Sequence, residues 1–126
     1  MSSAYLAGLF DLGGHVYARR GGGLGLRVLV PHPSLAQTLR NAMGGTVAVS
    51  SPPRWTVSDP KDLSHCVATL APFAHGQKLA LEILHLWLTN ELDLDQALDG
   101  LDGFYETYHV DRLLTWRERM GEQPDA

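Results

Sequence analysis

Apolar residues in the first part of the chain follow two periodicities, one helical and one strand-like. After a serine suited to an N-cap, leucines and a phenylalanine recur at roughly helical spacing as far as Leu12, and Gly13-Gly14 ends the pattern. Residues 15–20 and 24–30 favour two strands, because the three glycines between them are typical of a hairpin turn. The chain is therefore predicted to open with a helix and a β-hairpin.

The same order of elements follows a second time. Ser34 is suited to the N-cap of a second helix, whose apolar residues share one face as far as Met43. Residues 46–50 and 54–58 predict a second hairpin, and residues 61–70 predict a third helix. This order indicates an α+β fold of the type αββαββα with a mixed or antiparallel sheet.

The last third of the chain predicts helices only. Residues 77–88 carry apolar side chains at nearly every inward position of a buried helix, and one or two further helices are expected around 98–101 and 110–117. We expect residues 1–90 to form the core domain and residues 91–126 to form an acidic helical extension packed on the same domain.

The composition is ordinary for a soluble globular domain. With 126 residues, 44% hydrophobic and 19% charged, it is long enough for one domain with a core, and a disordered or fibrous chain is excluded. The longest apolar run contains Glu82 and His85, so neither a membrane span nor a signal peptide is predicted. The single cysteine, Cys66, forms no internal disulfide, which favours a reducing, cytoplasmic setting. The histidines lack metal-ligand spacing, so no metal site is predicted.

Charge is segregated along the chain. Residues 1–81 hold seven basic and three acidic side chains, a net charge of +4, whereas residues 82–126 hold three basic and eleven acidic ones, a net charge of −8. Because the local field steers binding more than the net charge does, a polyanionic partner stays compatible with the first two thirds of the chain.

One short motif stands at the head of this element order. The first helix reads Leu6-Ala7-Gly8-Leu9-Phe10-Asp11, and together with the order of elements it resembles the LAGLIDADG homing endonuclease family. The resemblance extends as far as Leu88. It includes an apolar strand ending at His32, a glycine after the second helix, a tryptophan strand, and a turn followed by a long helix, carried by Val28 to His32, Gly44, Arg54 to Val57, Pro72-Phe73 and Gln77-Lys78.

The resemblance implies a homodimer. In that family, two motif helices pack against each other across a two-fold axis, and one motif per chain implies two identical chains. Small residues at Ala7 and Gly8 permit close approach of two backbones, and Asp11 and Leu12 lie about one turn later, so these four residues are the predicted interface. The alternative is that Ala7 and Gly8 pack against the core of their own chain.

The resemblance breaks at the catalytic position. Where the family motif ends in Asp-Gly, this chain has Gly13-Gly14, so it lacks the carboxylate that holds the divalent metal. Asp11, His32 and Lys78 match or replace other family residues near that site and are the candidate catalytic residues. We expect an inactive protein with no cofactor; the alternative is a rearranged endonuclease that uses Mg²⁺ or Mn²⁺.

The resemblance also implies that the outward face of the sheet binds nucleic acid. Alternation along the strands places polar and basic side chains on that face: His15, Tyr17, Arg19, Arg27 and Arg54. Arginines in this arrangement contact phosphates or guanine edges. Double-stranded DNA is the predicted partner and RNA is a second one. The alternatives are that these arginines are ordinary solvated side chains, and that the chain is a regulatory module that binds a protein.

Overall fold

The computed structural model describes residues 2–50 and 52–119, and the side chains of these residues as far as Tyr108. The elements follow one another as α1 (Ser3–Gly13), β1 (Gly14–Ala18), β2 (Leu24–Leu29), α2 (Pro33–Met43), β3 (Thr46–Ala48), β4 (Arg54–Val57), α3 (Pro60–Leu70), α4 (Lys78–Leu88) and α5 (Leu94–Arg119). The predicted α+β fold is confirmed.

The four strands form one antiparallel sheet in the order β1-β2-β4-β3. In register, Val16 lies opposite Leu26 on β2, and Val28 lies opposite Trp55 on β4. These four side chains are buried and face the helices. Because side chains alternate along a strand, the residues between them project from the opposite side of the sheet.

Several boundaries differ from the predicted ones for local reasons. The strand expected to reach residue 20 ends at Ala18, because the backbone of Arg19 already bonds across the hairpin turn to Gly23. β3 ends at Ala48 rather than at residue 50, and two prolines follow at 52 and 53, which have no N–H to donate to a ladder. The N-cap of α2 is His32 rather than Ser34, because a proline fits the first helical position.

The motif helix α1 lies inside the helical layer. It packs on α3 and on β2, and its residues Ala7 and Phe10 are completely buried. Trp55 reaches across from β4, and its indole N–H donates a 2.8 Å hydrogen bond to the carbonyl of Gly44 at the end of α2. Gly44 has a φ of 81°, a conformation that favours glycine. This bond joins the two ends of the second helix-hairpin unit, α2 and β4, to each other.

The last segment, for which one or two helices were predicted, is a single long helix. α5 packs on α4, where Ala97 and Leu101 are buried and Gly100 lies against Ile83. It then continues along β1, which is an edge strand of the sheet. Among the described residues, no helix is long and apolar enough to cross a membrane.

Candidate functional site

Asp11, near the end of α1, holds the loop that leads into α4. Its Oδ2 accepts a 2.9 Å hydrogen bond from the backbone N–H of His75, and its Oδ1 accepts one of 2.9 Å from that of Gln77. Both carboxylate oxygens are thus bonded to backbone. The geometry gives Asp11 a positioning role at the join between α1 and α4.

Gln77 is completely buried beneath the end of α1. Its amide nitrogen donates to the carbonyls of Phe10 at 2.8 Å and Gly14 at 2.7 Å, and its amide oxygen accepts a 2.7 Å bond from the hydroxyl of Tyr105. The last carbonyls of a helix have no partner within the helix. Gln77 supplies one from a different part of the chain, and the hydroxyl of Tyr108 supplies another to the carbonyl of Asp11.

Tyr105 extends this network to the sheet. Its hydroxyl accepts a 2.8 Å bond from the backbone N–H of Val16 on β1 while donating to Gln77. Burial raises the pKa of Tyr105, so the phenol keeps the proton that it donates. One side chain of α5 therefore joins the edge strand to the loop and to the motif helix.

The position of the missing carboxylate is sterically closed. A Cβ built on Gly13 would lie 2.9 Å from the carbonyl oxygen of Leu29 on β2, and that oxygen belongs to a backbone held in the sheet. A side chain at position 13 therefore has no free space beside β2. Any residue other than glycine requires β2 and α1 to move apart.

The three predicted catalytic residues belong to three different points of the fold, near the end of α1, at the N-cap of α2 and at the start of α4. His32 is exposed at the start of α2, where its Nδ1 lies 2.7 Å from the hydroxyl of Ser34. Lys78 is the exposed first residue of α4. In the described part of the chain, no hydrogen bond joins either one to Asp11, and no group of three His, Cys, Asp or Glu residues is arranged to hold a metal. Cys66 is buried, which raises its pKa to about 12 and leaves it a neutral thiol.

The outward surface of the sheet includes His15, Tyr17, Arg27, Arg54 and Thr56, here called the sheet face, and the exposed Leu29 lies opposite Arg54 on the same side. The cross-strand register places His15 opposite Arg27, and Arg27 opposite Thr56. The guanidinium of Arg27 lies 5.2 Å from the centroid of the Tyr17 ring. The predicted alternation of these strands is therefore observed. Arg19 lies outside β1, in the hairpin turn.

At one edge, the sheet face meets α5. The ring of His15 stacks on the ring of Tyr105, with 4.2 Å between centroids. A cleft of about 410 Å³ runs beside this stack between β1 and α5, and two exposed acidic residues, Asp102 and Glu106, border it together with Tyr17. The sequence showed that the last segment was acidic, but it carried no signal for this position.

The predicted dimer interface is only partly at the surface. Ala7 is completely buried in the core of its own chain, so its assignment to the interface is wrong: it lies on the inner side of α1. Asp11 is half-buried and bonded to the loop. Gly8 is exposed, and a Cβ built on it would meet nothing within 4 Å. Leu12 is 72% exposed and Tyr5 is 51% exposed, so the outer side of α1 is apolar.

Comparison with known proteins gives structural neighbours but no sequence match. No family model matches the chain, and no curated protein matches it. A structure of the homing endonuclease I-CvuI in complex with the I-CreI target aligns with a TM-score of 0.57 at 19% identity, over 81% of this chain and 78% of that one. A second structure of I-CvuI, in complex with its own target, aligns with a TM-score of 0.55 at 19% identity, over 86% and 80%. At this identity the likeness establishes the fold.

Replacing Gln77 by leucine tests the network beneath α1. The substitution removes both donors and the acceptor, so the Gly14 carbonyl and the Tyr105 hydroxyl lose their buried partner. Each such group costs about 1–3 kcal/mol. We expect the free energy of unfolding to fall by about 3 kcal/mol or more in urea titrations followed by tryptophan fluorescence. Gln37→Leu, on the exposed side of α2, is the control and should stay within about 0.5 kcal/mol of the parent. Equal effects of the two substitutions would contradict the network.

Proposed function

We propose that this protein binds double-stranded nucleic acid through the sheet face, as a homodimer formed through α1, and that it does not cleave its partner. The observation that carries the proposal is the charge of the sheet face. Strands β1 to β4 contain two charged side chains, Arg27 and Arg54, and both are basic and project from this face. A surface of this kind attracts phosphates, even though the whole chain has a net charge of −4.

The fold likeness supports the same partner. The two I-CvuI structures are complexes with DNA targets, and their chains share most of the length of this one. Arg27 and Arg54 come from adjacent strands, and Thr56 lies between them on the face as a neutral hydrogen-bonding group. Arginine is the residue that most often reads guanine in the major groove, and threonine bonds to several bases or to phosphate. The sheet face thus offers both charge and readout groups.

Dimerisation through α1 follows from its outer side. Tyr5 and Leu12 are large apolar side chains exposed to water, and Gly8 lies between them along the helix. A glycine at this position lets a second helix approach closely, because no Cβ separates the two backbones. A second copy of α1, related by two-fold symmetry, makes the same contacts in reverse, so that one patch on each chain covers the other, including both leucines.

The absence of cleavage follows from Gly13. In a symmetric dimer both chains lack the same carboxylate, so neither supplies a metal ligand to the other. The carbonyl of Leu29 also closes the space that a side chain would need. Asp11 lies close by, but each of its carboxylate oxygens already accepts a backbone N–H from the loop before α4, which fixes their direction. The protein is therefore proposed to act as a binding module.

Gly8→Leu tests the dimer. The new side chain enters open space in a single chain, so the protomer should fold as before, but it separates two helices that pack at this point. We expect the parent to sediment at twice the 13.8 kDa mass of one chain and the variant to sediment as a monomer. Gly103→Leu is the matched control, because a Cβ there also meets nothing within 4 Å, and it should remain dimeric. A monomeric parent at high concentration would rule out the dimer.

Charge reversal tests the sheet face. Arg27→Glu with Arg54→Glu should weaken binding to a pool of duplex DNA by at least about tenfold and reduce the slope of log affinity against log salt by about two, because two phosphate contacts are lost. Arg40→Glu with Lys61→Glu changes the net charge equally on the exposed ends of α2 and α3 and is the control. Fluorescence anisotropy measures both, and duplex RNA as competitor identifies the preferred partner. If the two double variants bind equally well, the sheet face is not the binding surface.

Cleavage is tested with the parent protein and a library of duplex targets in Mg²⁺ and, separately, in Mn²⁺. We expect no site-specific ends above background when the products are sequenced, because position 13 offers no metal ligand. Gly13→Asp should not create cleavage, since its Cβ meets the Leu29 carbonyl, and it should lower the melting temperature. Specific double-strand breaks by the parent would overturn the assignment as a non-cleaving protein and make a rearranged endonuclease the better interpretation.

A further inference from the structure

The acidic part of the chain is held beside the sheet face. Four consecutive residues of β1, His15 to Ala18, form one wall of the cleft, and one side of α5 forms the other. Asp102 and Glu106 stand on that side of α5, about one helical turn apart, and both are exposed. Two negative charges therefore lie along the edge of a surface whose strands carry only positive ones.

These two charges do not move freely away from the sheet. Tyr105, between them in sequence, accepts a hydrogen bond from the backbone of Val16, stacks on His15, and donates to Gln77. Leu101 is buried one turn before Tyr105. The helix is thus anchored on both the edge strand and the core, and its carboxylates keep a fixed place relative to β1.

The charge of Arg27 reaches this edge as well. Arg27 lies directly across from His15 in the sheet, and the ring of His15 stacks on Tyr105 at this edge. At physiological ionic strength the interaction between exposed charges is largely screened beyond a Debye length of about 8 Å. A duplex carries one phosphate charge for about every 1.7 Å of its axis, so a duplex laid on β1 would bring phosphates within that range of Asp102 and Glu106. β1 itself holds no acidic residue, so the difference between the strands is one of distance. With neighbouring strands about 4.8 Å apart, β2, β4 and β3 lie about 5, 10 and 14 Å from β1 and therefore progressively further from the two carboxylates that border it.

We propose that Asp102 and Glu106 form an electrostatic boundary of the sheet face, which keeps a bound duplex on β2, β4 and β3 and away from the edge strand β1. This inference rests on the proposed nucleic-acid binding. It assigns to the acidic helix a role in limiting both the affinity and the footprint of that binding. It also changes the expectation for His15 and Tyr17, which then pack against α5 and Arg27 instead of contacting the nucleic acid.

Neutralising the boundary tests it. Asp102→Asn with Glu106→Gln should tighten binding to a duplex DNA pool by about fivefold in 50 mM NaCl, the size expected for removing two exposed like charges at about a Debye length. The gain should shrink at 200 mM NaCl. Glu82→Gln with Glu91→Gln is the matched control, because both side chains are exposed, neither borders the cleft, and the net charge changes equally. This control should change affinity by less than twofold.

Each outcome separates the boundary from simpler explanations. Equal tightening in both double variants would show an effect of net charge only and overturn the proposal, as would unchanged affinity of the Asp102 and Glu106 variant. Binding by this variant where the parent shows none would support the proposal strongly. If no variant binds duplex, the proposed function fails and the boundary fails with it. Melting temperatures monitor folding, and the two single substitutions replace the double variant if it does not fold.

Discussion

The structure depends on the hydrogen bonds that the last backbone carbonyls of the motif helix accept. At the end of α1 the carbonyl of Phe10 is buried and that of Gly14 is partly buried, and a buried carbonyl without a donor is costly. The side-chain amide of Gln77 donates a hydrogen bond to both carbonyls. In return, the carboxylate of Asp11 accepts the backbone N–H of Gln77. This reciprocal pair fixes the angle between α1 and α4. Because Tyr105 and Val16 complete the network, the same pair also fixes the edge of the sheet and the course of α5.

From this join, the molecule presents two surfaces of different character. The outer side of α1 is apolar and offers Gly8 and Leu12 to a second copy. The sheet face is polar and carries Arg27 and Arg54 on neighbouring strands. Both surfaces depend on the same core, in which Trp55 and Val16 fill the space between sheet and helices. The proposed dimerisation and the proposed nucleic-acid binding therefore depend on the same core.

The charge segregation along the chain acquires a spatial meaning in the fold. A net charge of −8 over residues 82–126 is compatible with a solvated tail, but α5 begins at Leu94, packs on α4 and borders the edge strand β1. Its carboxylates at Asp102 and Glu106 thereby become neighbours of the sheet face, although nearly ninety residues separate them from β1 in sequence. The fold therefore places acidic side chains of α5 next to the basic sheet face, and the electrostatic potential at this edge depends on the tertiary structure.

The sequence by itself determined the order of the elements and the two faces of the sheet, because periodicity and turn residues are local signals. Alternation at residues 15–18 was enough to place His15 and Tyr17 on one face and Val16 on the other. Helix spacing was not enough to orient α1, and Ala7, expected at the surface, is buried. Which side of a helix faces the core is decided by what packs on it, here α3 and β2. The contact of Gly13 with Leu29, the partners of Gln77, and the place of Asp102 beside the sheet join residues far apart in sequence. Only the tertiary structure decided them, because no local pattern records which distant backbone a side chain will meet.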